Sequence, residues 1–490
     1  MKKREILSKT HFGQRIAEEE SDQLYEYFVE TDQWKSIAAG EVDIVYGAKG
    51  SGKSAIYSLL LSREVQLERH GIHAIPAENP KGSAVFEDLA KHFPVSEDEF
   101  RALWKLYVLC LVGTYLRSCA NSNKLAEDVV RTLEDAELLL REDNLKGMLL
   151  SALHRVRQIT KVESVSGGLE FNPATGLPVG LTGKITFREP DPSGTKVGLI
   201  STDELIKKAD SALGVMGKKV WVLVDRLDVA FAEKEDLETR ALRALFRAYS
   251  DLRPVRNISL KLFLRTDIWN RITSEGFREA SHISRHTTIT WNRVALVNLI
   301  ARRLMHNQVI TSYFTINPFD VLADSKKQYA LVARMFPAKM DAVPDDTMEW
   351  IMSRLHDGSE LIMPRELIHF LICAREIQLK RLEVGAGEPN GDVLFDPKIL
   401  KQAMREVSKT RFEQTLCAEY PKWKKRMQSL RGQKPQHSVR DLATIWNETD
   451  EKALSIAESL SDIGFFERPK SVKDPVFTVP FLYRPALNIT

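Results

Sequence analysis

The hydrophobic pattern changes period several times along the chain, and the changes divide it. Short apolar runs of strand length occur at Val42–Tyr46, Gly71–Pro76, Lys218–Val224, Ile258–Leu264 and His286–Trp291. Such runs, alternating with helical stretches, predict a parallel sheet covered on both faces. Residues 54–70 read as the first covering helix. Residues 97–158 repeat apolar side chains at helical spacing, among them Leu103, Leu106, Leu109, Val112 and Leu116. The period then shortens. Residues 162–171 and 179–187 flank the turn-rich Asn172–Pro178 and predict a glycine-rich β-hairpin. Residues 97–215 therefore read as a helical and β-hairpin insertion in the sheet core.

The ends of the chain follow other patterns. Leu24, Tyr25, Phe28 and Val29 predict an acidic amphipathic helix within 11–36, packed by that apolar face and followed by a short one. Beyond Trp291 the chain is helical, and Pro364 suits the first turn of a helix. Glycine-rich residues 383–392 read as a linker. After it, 397–430 is helical, with bases at Lys401, Arg405, Lys409, Arg411, Lys422, Lys424, Lys425, Arg426 and, just beyond, Arg431. Ser438 and Asp441 have capping-box spacing before a short helix, and 449–463 is another helix. Residues 464–468 and 475–480 then read as a two-stranded wing, which completes a winged-helix pattern. Phe481–Leu487 is expected to dock back on the body. The expected division is an N-terminal helical segment (1–36), a sheet core (37–300), a helical lid (301–392) and a winged-helix-like domain (393–490).

The chemistry concentrates after the first strand. Gly47-Ala48-Lys49-Gly50-Ser51-Gly52-Lys53-Ser54 is G-x-x-x-x-G-K-S, followed by a helix that begins near Ser54-Ala55. A phosphate needs several converging N–H donors, and side chains at every loop position would block them. Gly47, Gly50 and Gly52 remove that obstacle, and the helix N-terminus adds partial positive charge. Lys53 can reach the β- and γ-phosphates, and the Ser54 hydroxyl can ligate Mg²⁺. Residues 47 and 49–55 are thus the expected nucleotide-binding set. The 218–224 strand ends in Asp225, the acid expected on the Mg²⁺ side, with Arg226 and Asp228 following. The 258–264 strand ends in Arg265-Thr266-Asp267, polar groups at the strand edge where open α/β sheets bind ligands.

The order of these motifs resembles the additional-strand P-loop ATPases of the AAA+ and STAND kind. These include origin-recognition-type initiators and bacterial relatives, several of which sit among anti-phage defence genes. The resemblance implies an α/β P-loop NTPase with a parallel sheet core, the insertion, a helical lid and a C-terminal winged-helix domain. It implies ATP and Mg²⁺ as cofactors, and slow or partner-stimulated hydrolysis. Position by position, it implies that Lys53 binds phosphate, that Ser54 and Asp225 hold Mg²⁺, and that Thr266 takes a sensor position. Arg365 takes the place of a lid arginine, and Arg285 that of an arginine finger aimed at a neighbouring subunit, with Arg278 as its rival. The family usually carries Glu directly after the Mg²⁺-side Asp. Here that position is Arg226, and Asp228 is assigned the water-activating role.

Bulk composition narrows the setting. The chain has 490 residues, 43% hydrophobic and 28% charged, with a net charge of +3, so any basic surface must be local. Cys110, Cys119, Cys373 and Cys417 lie in helical apolar surroundings, as in a reduced cytoplasmic protein without a zinc site or a disulfide frame. No apolar run is long enough to span a bilayer. The leading expectation is an ATP-driven, oligomerising switch that controls an effector protein or DNA, in defence or DNA maintenance. The alternative is a DNA-binding winged-helix protein in which ATP is mainly structural. A small-molecule kinase is disfavoured, because no acceptor pocket or arginine cluster accompanies the loop.

Overall fold

The computed structural model describes the chain except residues 21–22, 78–95, 120–122, 137, 140–183, 189–196, 226–234, 275, 341–345, 468–470, 472 and 490. It divides into two compact units. One comprises 35–46 and 56–288, and the other 1–34, 47–55 and 289–490.

The first unit is built on a five-stranded sheet of β1 (Ile44–Gly47), β2 (Ile72–Pro76), β5 (Lys219–Val224), β6 (Ile258–Arg265) and β7 (His286–Thr288). The spatial order is β2-β5-β6-β1-β7, and the paired registers are parallel. The fold is α/β with a parallel sheet core. β6 stands between the strand that enters the glycine loop and the strand that ends in Asp225. Val220–Val224 is buried at every position, as a strand covered on both faces requires. Glu97–Ser118 opens with a capping box in which Ser96 and Glu99 exchange hydrogen bonds of 2.7 and 3.2 Å. It packs on Glu235–Leu252, where Trp104 donates to the Ala241 carbonyl (3.0 Å) and Arg101 holds Asp251 with two bonds.

Two expectations change here. The covering helix at 54–70 is two helices, Lys53–Ser62 and Glu64–Arg69, which break at Arg63. Most of the hairpin expected over 162–187 lies outside the described residues. Within them, β3 (Lys184–Arg188) pairs antiparallel with β4 (Val197–Ser201).

The second unit is mainly helical. Its buried cluster runs from Ile6 and Leu7 through Leu296 and Phe370 to Tyr483 and Ile489, so the lid and C-terminal segments share one core. The Pro364–Glu383 helix carries Pro364 in its first turn. A helix unsuspected from the sequence, Lys3–Lys9, lies against it, and Arg375 donates to the Leu7 carbonyl at 2.8 Å. Lys3 also reaches the carbonyls of Pro389 and Gly391, so the glycine-rich 383–392 stretch is tied down. Within 11–36 the helix through Leu24 is a single turn, Leu24–Tyr27, too short for the expected apolar stripe, and the short helix expected after it is Asp32–Ala38. Leu24 and Val29 are buried while Tyr25 is 60% exposed.

At the C-terminal end the Ser438–Asp441 capping box forms as expected and opens Val439–Trp446. Asp450–Asp462 follows. The wing differs in its partner. β9 (Val476–Thr478) pairs with β8 (Gln436–Ser438), and 464–468 contributes one bridge, Glu467 to Thr478. Phe481–Leu487 does dock back: Tyr483 and Leu487 are fully buried, and the Ala486 amide bonds the Ser408 hydroxyl.

Candidate functional site: the glycine loop at 47–55

The loop adopts the backbone its glycines were expected to permit. Gly50 and Gly52 have φ of +85° and +100°, a region that side-chain-bearing residues rarely enter. Gly47 is required for space, since a Cβ there would stand 2.3 Å from the Ser51 hydroxyl oxygen. Lys53 opens the Lys53–Ser62 helix, and its Nζ donates to the carbonyls of Gly47 (2.8 Å) and Ala48 (3.1 Å). The ammonium therefore lies across the loop it belongs to.

Several partners of the loop come from distant sequence. Trp291 donates its indole N–H to the Ser51 carbonyl at 2.8 Å, a contact no local signal announces. A Cβ on Gly50 would lie 3.1 Å from the Arg365 Cβ and 3.5 Å from a Glu366 carboxylate oxygen. The structure thus brings Arg365 to the glycine loop. Lys49 forms an ion pair with Glu419. The Ser51 hydroxyl and the Arg365 Nε are buried without a hydrogen-bond partner among the described residues.

These features test whether a phosphate group suits the loop. Two donors at the loop lack protein acceptors among the described residues, Gly47 keeps clear a space that a Cβ would crowd, and a lysine ammonium is held within the turn. The donor set is that of an anion cradle, and it fits a polyphosphate.

The other expected residues belong to the first unit. Asp225 follows β5 directly and is buried. Thr266 begins the Thr266–Ser274 helix at the end of β6, where Arg265 and Asp267 grip each other at 2.8 and 3.1 Å. Asp225 and Thr266 thus leave the C-terminal ends of adjacent parallel strands. Asp228 lies outside the described residues, as does Arg226. Arg285 has an acceptor in its own chain. Its Nε is 2.9 Å from Asp43, and it also donates to the Gly40 carbonyl. Arg278 is exposed on the 3₁₀ turn Arg278–His282.

The basic C-terminal residues separate by environment. Lys422, Lys424 and Lys425 are exposed, while Arg426 is engaged by Glu448 and the Trp446 carbonyl. Arg411, one of the bases of the 397–430 stretch, is buried beside Asp357 and Glu366. It follows Met404 and Val407 at helical spacing on the buried face and begins a π-helical turn, Arg411–Leu416. Burial works against its charge, but Glu366, Tyr483 and Asp357 hold the guanidinium protonated far above any working pH.

All four cysteines are free thiols, and burial pushes those of Cys110 and Cys373 up to about 12 and 11. Glu64, Glu68 and His73 bring ligand-type atoms within 4.8 Å of one another, but both carboxylates are over half exposed and a surface ion pair accounts for the grouping. No described helix is long and apolar enough to cross a membrane.

No family model matches the chain, and no curated protein is similar to it. Among solved structures it is similar to the ORC2 protein of Aeropyrum pernix, described as ADPNP-ADP complexes. The identity is 12%, with 97% of this chain and 94% of that chain covered, and the TM-score is 0.37. That degree of likeness carries no functional conclusion.

Proposed function

We propose that the chain is a Mg²⁺-dependent ATP-binding switch with slow ATP hydrolysis, acting as an oligomer on an effector protein or on DNA. The observation that carries this reading is the glycine loop. It combines positive-φ Gly50 and Gly52, Lys53 folded across the turn, and two buried donors without acceptors among the described residues. The placement of β6 between β1 and the Asp225 strand supports the additional-strand kind of P-loop ATPase.

In this reading the loop amides and Lys53 bind the phosphates, and Ser54 with Asp225 would hold Mg²⁺. When bound, the metal ion offsets charge on the phosphate oxygens. Thr266 reads the γ-phosphate end, and Asp228 orients the attacking water. Arg365, already beside Gly50, reports occupancy to the lid. Arg285 reaches a neighbouring subunit only by giving up Asp43, which makes assembly conditional. Exposed Lys422, Lys424 and Lys425 support DNA contact by the C-terminal domain, and such contact weakens steeply with salt. The setting we assign is cytoplasmic, in phage defence or DNA maintenance.

The test is titration with ATP carrying a fluorescent N-methylanthraniloyl group. Wild type binds, and Lys53→Ala loses about a hundredfold in affinity through a missing charge-assisted contact. Asp225→Asn keeps nucleotide and loses turnover. A folded wild-type sample that binds no nucleotide ends this reading.

A further inference from the structure

Two carboxylates of the second unit are directed at the outer turn of the glycine loop. Glu419 pairs with the Lys49 ammonium, and the Glu366 carboxylate lies against Gly50. Both connect to one short segment. Glu419 ends the Cys417–Glu419 turn, which continues directly from the π-helical Arg411–Leu416. Arg411, at the head of that segment, faces Glu366 at 3.4 Å and Asp357 at 3.8 Å. The segment therefore holds the loop at Lys49 through its last residue, and holds Gly50's neighbour through its first.

The charge at this turn is unusual for a phosphate cradle. Glu419 neutralises a lysine that lies within the loop, and its side chain is 15% exposed against 36% for Lys49, so solvent screens the pair only in part. Glu366 adds a buried negative charge whose second oxygen has no hydrogen-bond partner among the described residues. An incoming polyphosphate must compete with Glu419 for Lys49 and is repelled by both carboxylates.

We propose that Glu419 is an intramolecular competitor for phosphate, and that nucleotide binding displaces it from Lys49 and frees the Arg411–Glu419 segment. This inference rests on the nucleotide-binding reading above and adds its regulation. The contact is autoinhibitory. By reciprocity, whatever partner draws the segment away from the loop tightens nucleotide binding by the same factor. The π-helical turn suits the role, because an extra residue in one turn can be redistributed without unravelling the flanking helices.

The sign of the effect separates this role from simple packing. Glu419→Gln keeps size and shape, removes the charge, and is expected to tighten binding of the fluorescent ATP about fivefold or more. Losing a merely structural contact leaves affinity unchanged or weaker. In a Lys49→Met background the gain from Glu419→Gln should largely vanish, because the competition runs through that pair. Wild-type binding with no gain in folded Glu419→Gln overturns the inference and leaves the nucleotide reading standing. A gain that persists in full without Lys49 overturns it as well. Failure of both wild type and Glu419→Gln to bind overturns the nucleotide reading itself. Hydrogen exchange on wild type needs no variant: saturating ATP should speed amide exchange across 411–419, and unchanged or slower exchange overturns the inference.

Discussion

Two buried clusters of opposite charges, one from each unit, are built differently. In the first unit Asp43 accepts from Lys261 Nζ (2.9 Å) and Tyr249 (3.1 Å) and pairs with Arg285 Nε at 2.9 Å. Lys261, only 2% exposed, also donates to the Val42 carbonyl at 2.6 Å and sits 4.4 Å from the Trp221 ring centre. Burial lowers its pKa and Asp43 opposes that shift. In the second unit Arg411 meets its acids at 3.4 and 3.8 Å, and Arg411 Nε and Glu366 Oε2 have no hydrogen-bond partner among the described residues. A fully satisfied network fixes one arrangement, whereas a loosely satisfied one loses little by changing to another. The first cluster anchors β1 against β6. The second lies beside the turn that reads the loop.

The largest effect that tests this contrast is expected at Asp43. Asp43→Ala strands the buried Lys261 ammonium and should cost about 3–5 kcal/mol in urea-induced unfolding. Arg411→Met should cost less, about 1–3 kcal/mol, because burial already pushes the Asp357 carboxyl above its usual range and prepares it to take a proton. If Arg411→Met proves the costlier change, the two clusters do not differ as described.

The smallest effect concerns pH in the second unit. His369 is buried in the Pro364–Glu383 helix, and burial, aided by Arg15, lowers its pKa to about 4. The unfolded imidazole takes its proton near its ordinary value of about 6.5. The native state therefore binds fewer protons between those limits. The stability linked to neutral His369 is complete above about pH 6.5 and falls with pH, by about 2 kcal/mol at pH 5. Thermal unfolding of His369→Phe across that range should be flatter than wild type. An equal acid slope in both would place the proton uptake elsewhere.

How far the sequence reached follows the range of the forces involved. The sheet strands were legible because a strand buried on both faces must be apolar throughout, as Val220–Val224 is. The glycine loop was legible because positive φ at Gly50 and Gly52 is a local demand with few residue solutions. The Ser438–Asp441 box is likewise a matter of three residues' spacing. The expected pairing of 464–468 with the C-terminal strand survives as the Glu467–Thr478 bridge, but its second partner β8 went unforeseen because pairing is a choice between distant segments and β8 lies before the helices.

By itself, then, the sequence determined the α/β class, the glycine loop and the Ser438 helix cap, all of which rest on the period or backbone geometry of neighbouring residues. Tertiary structure decided which charges meet. It set Arg411 beside Asp357 and Glu366, brought Trp291 to the Ser51 carbonyl, and set Glu419 on Lys49 across 370 residues of chain. A charged side chain carries no mark of its partner, since its energy depends on burial and on the opposite charge that folding places beside it.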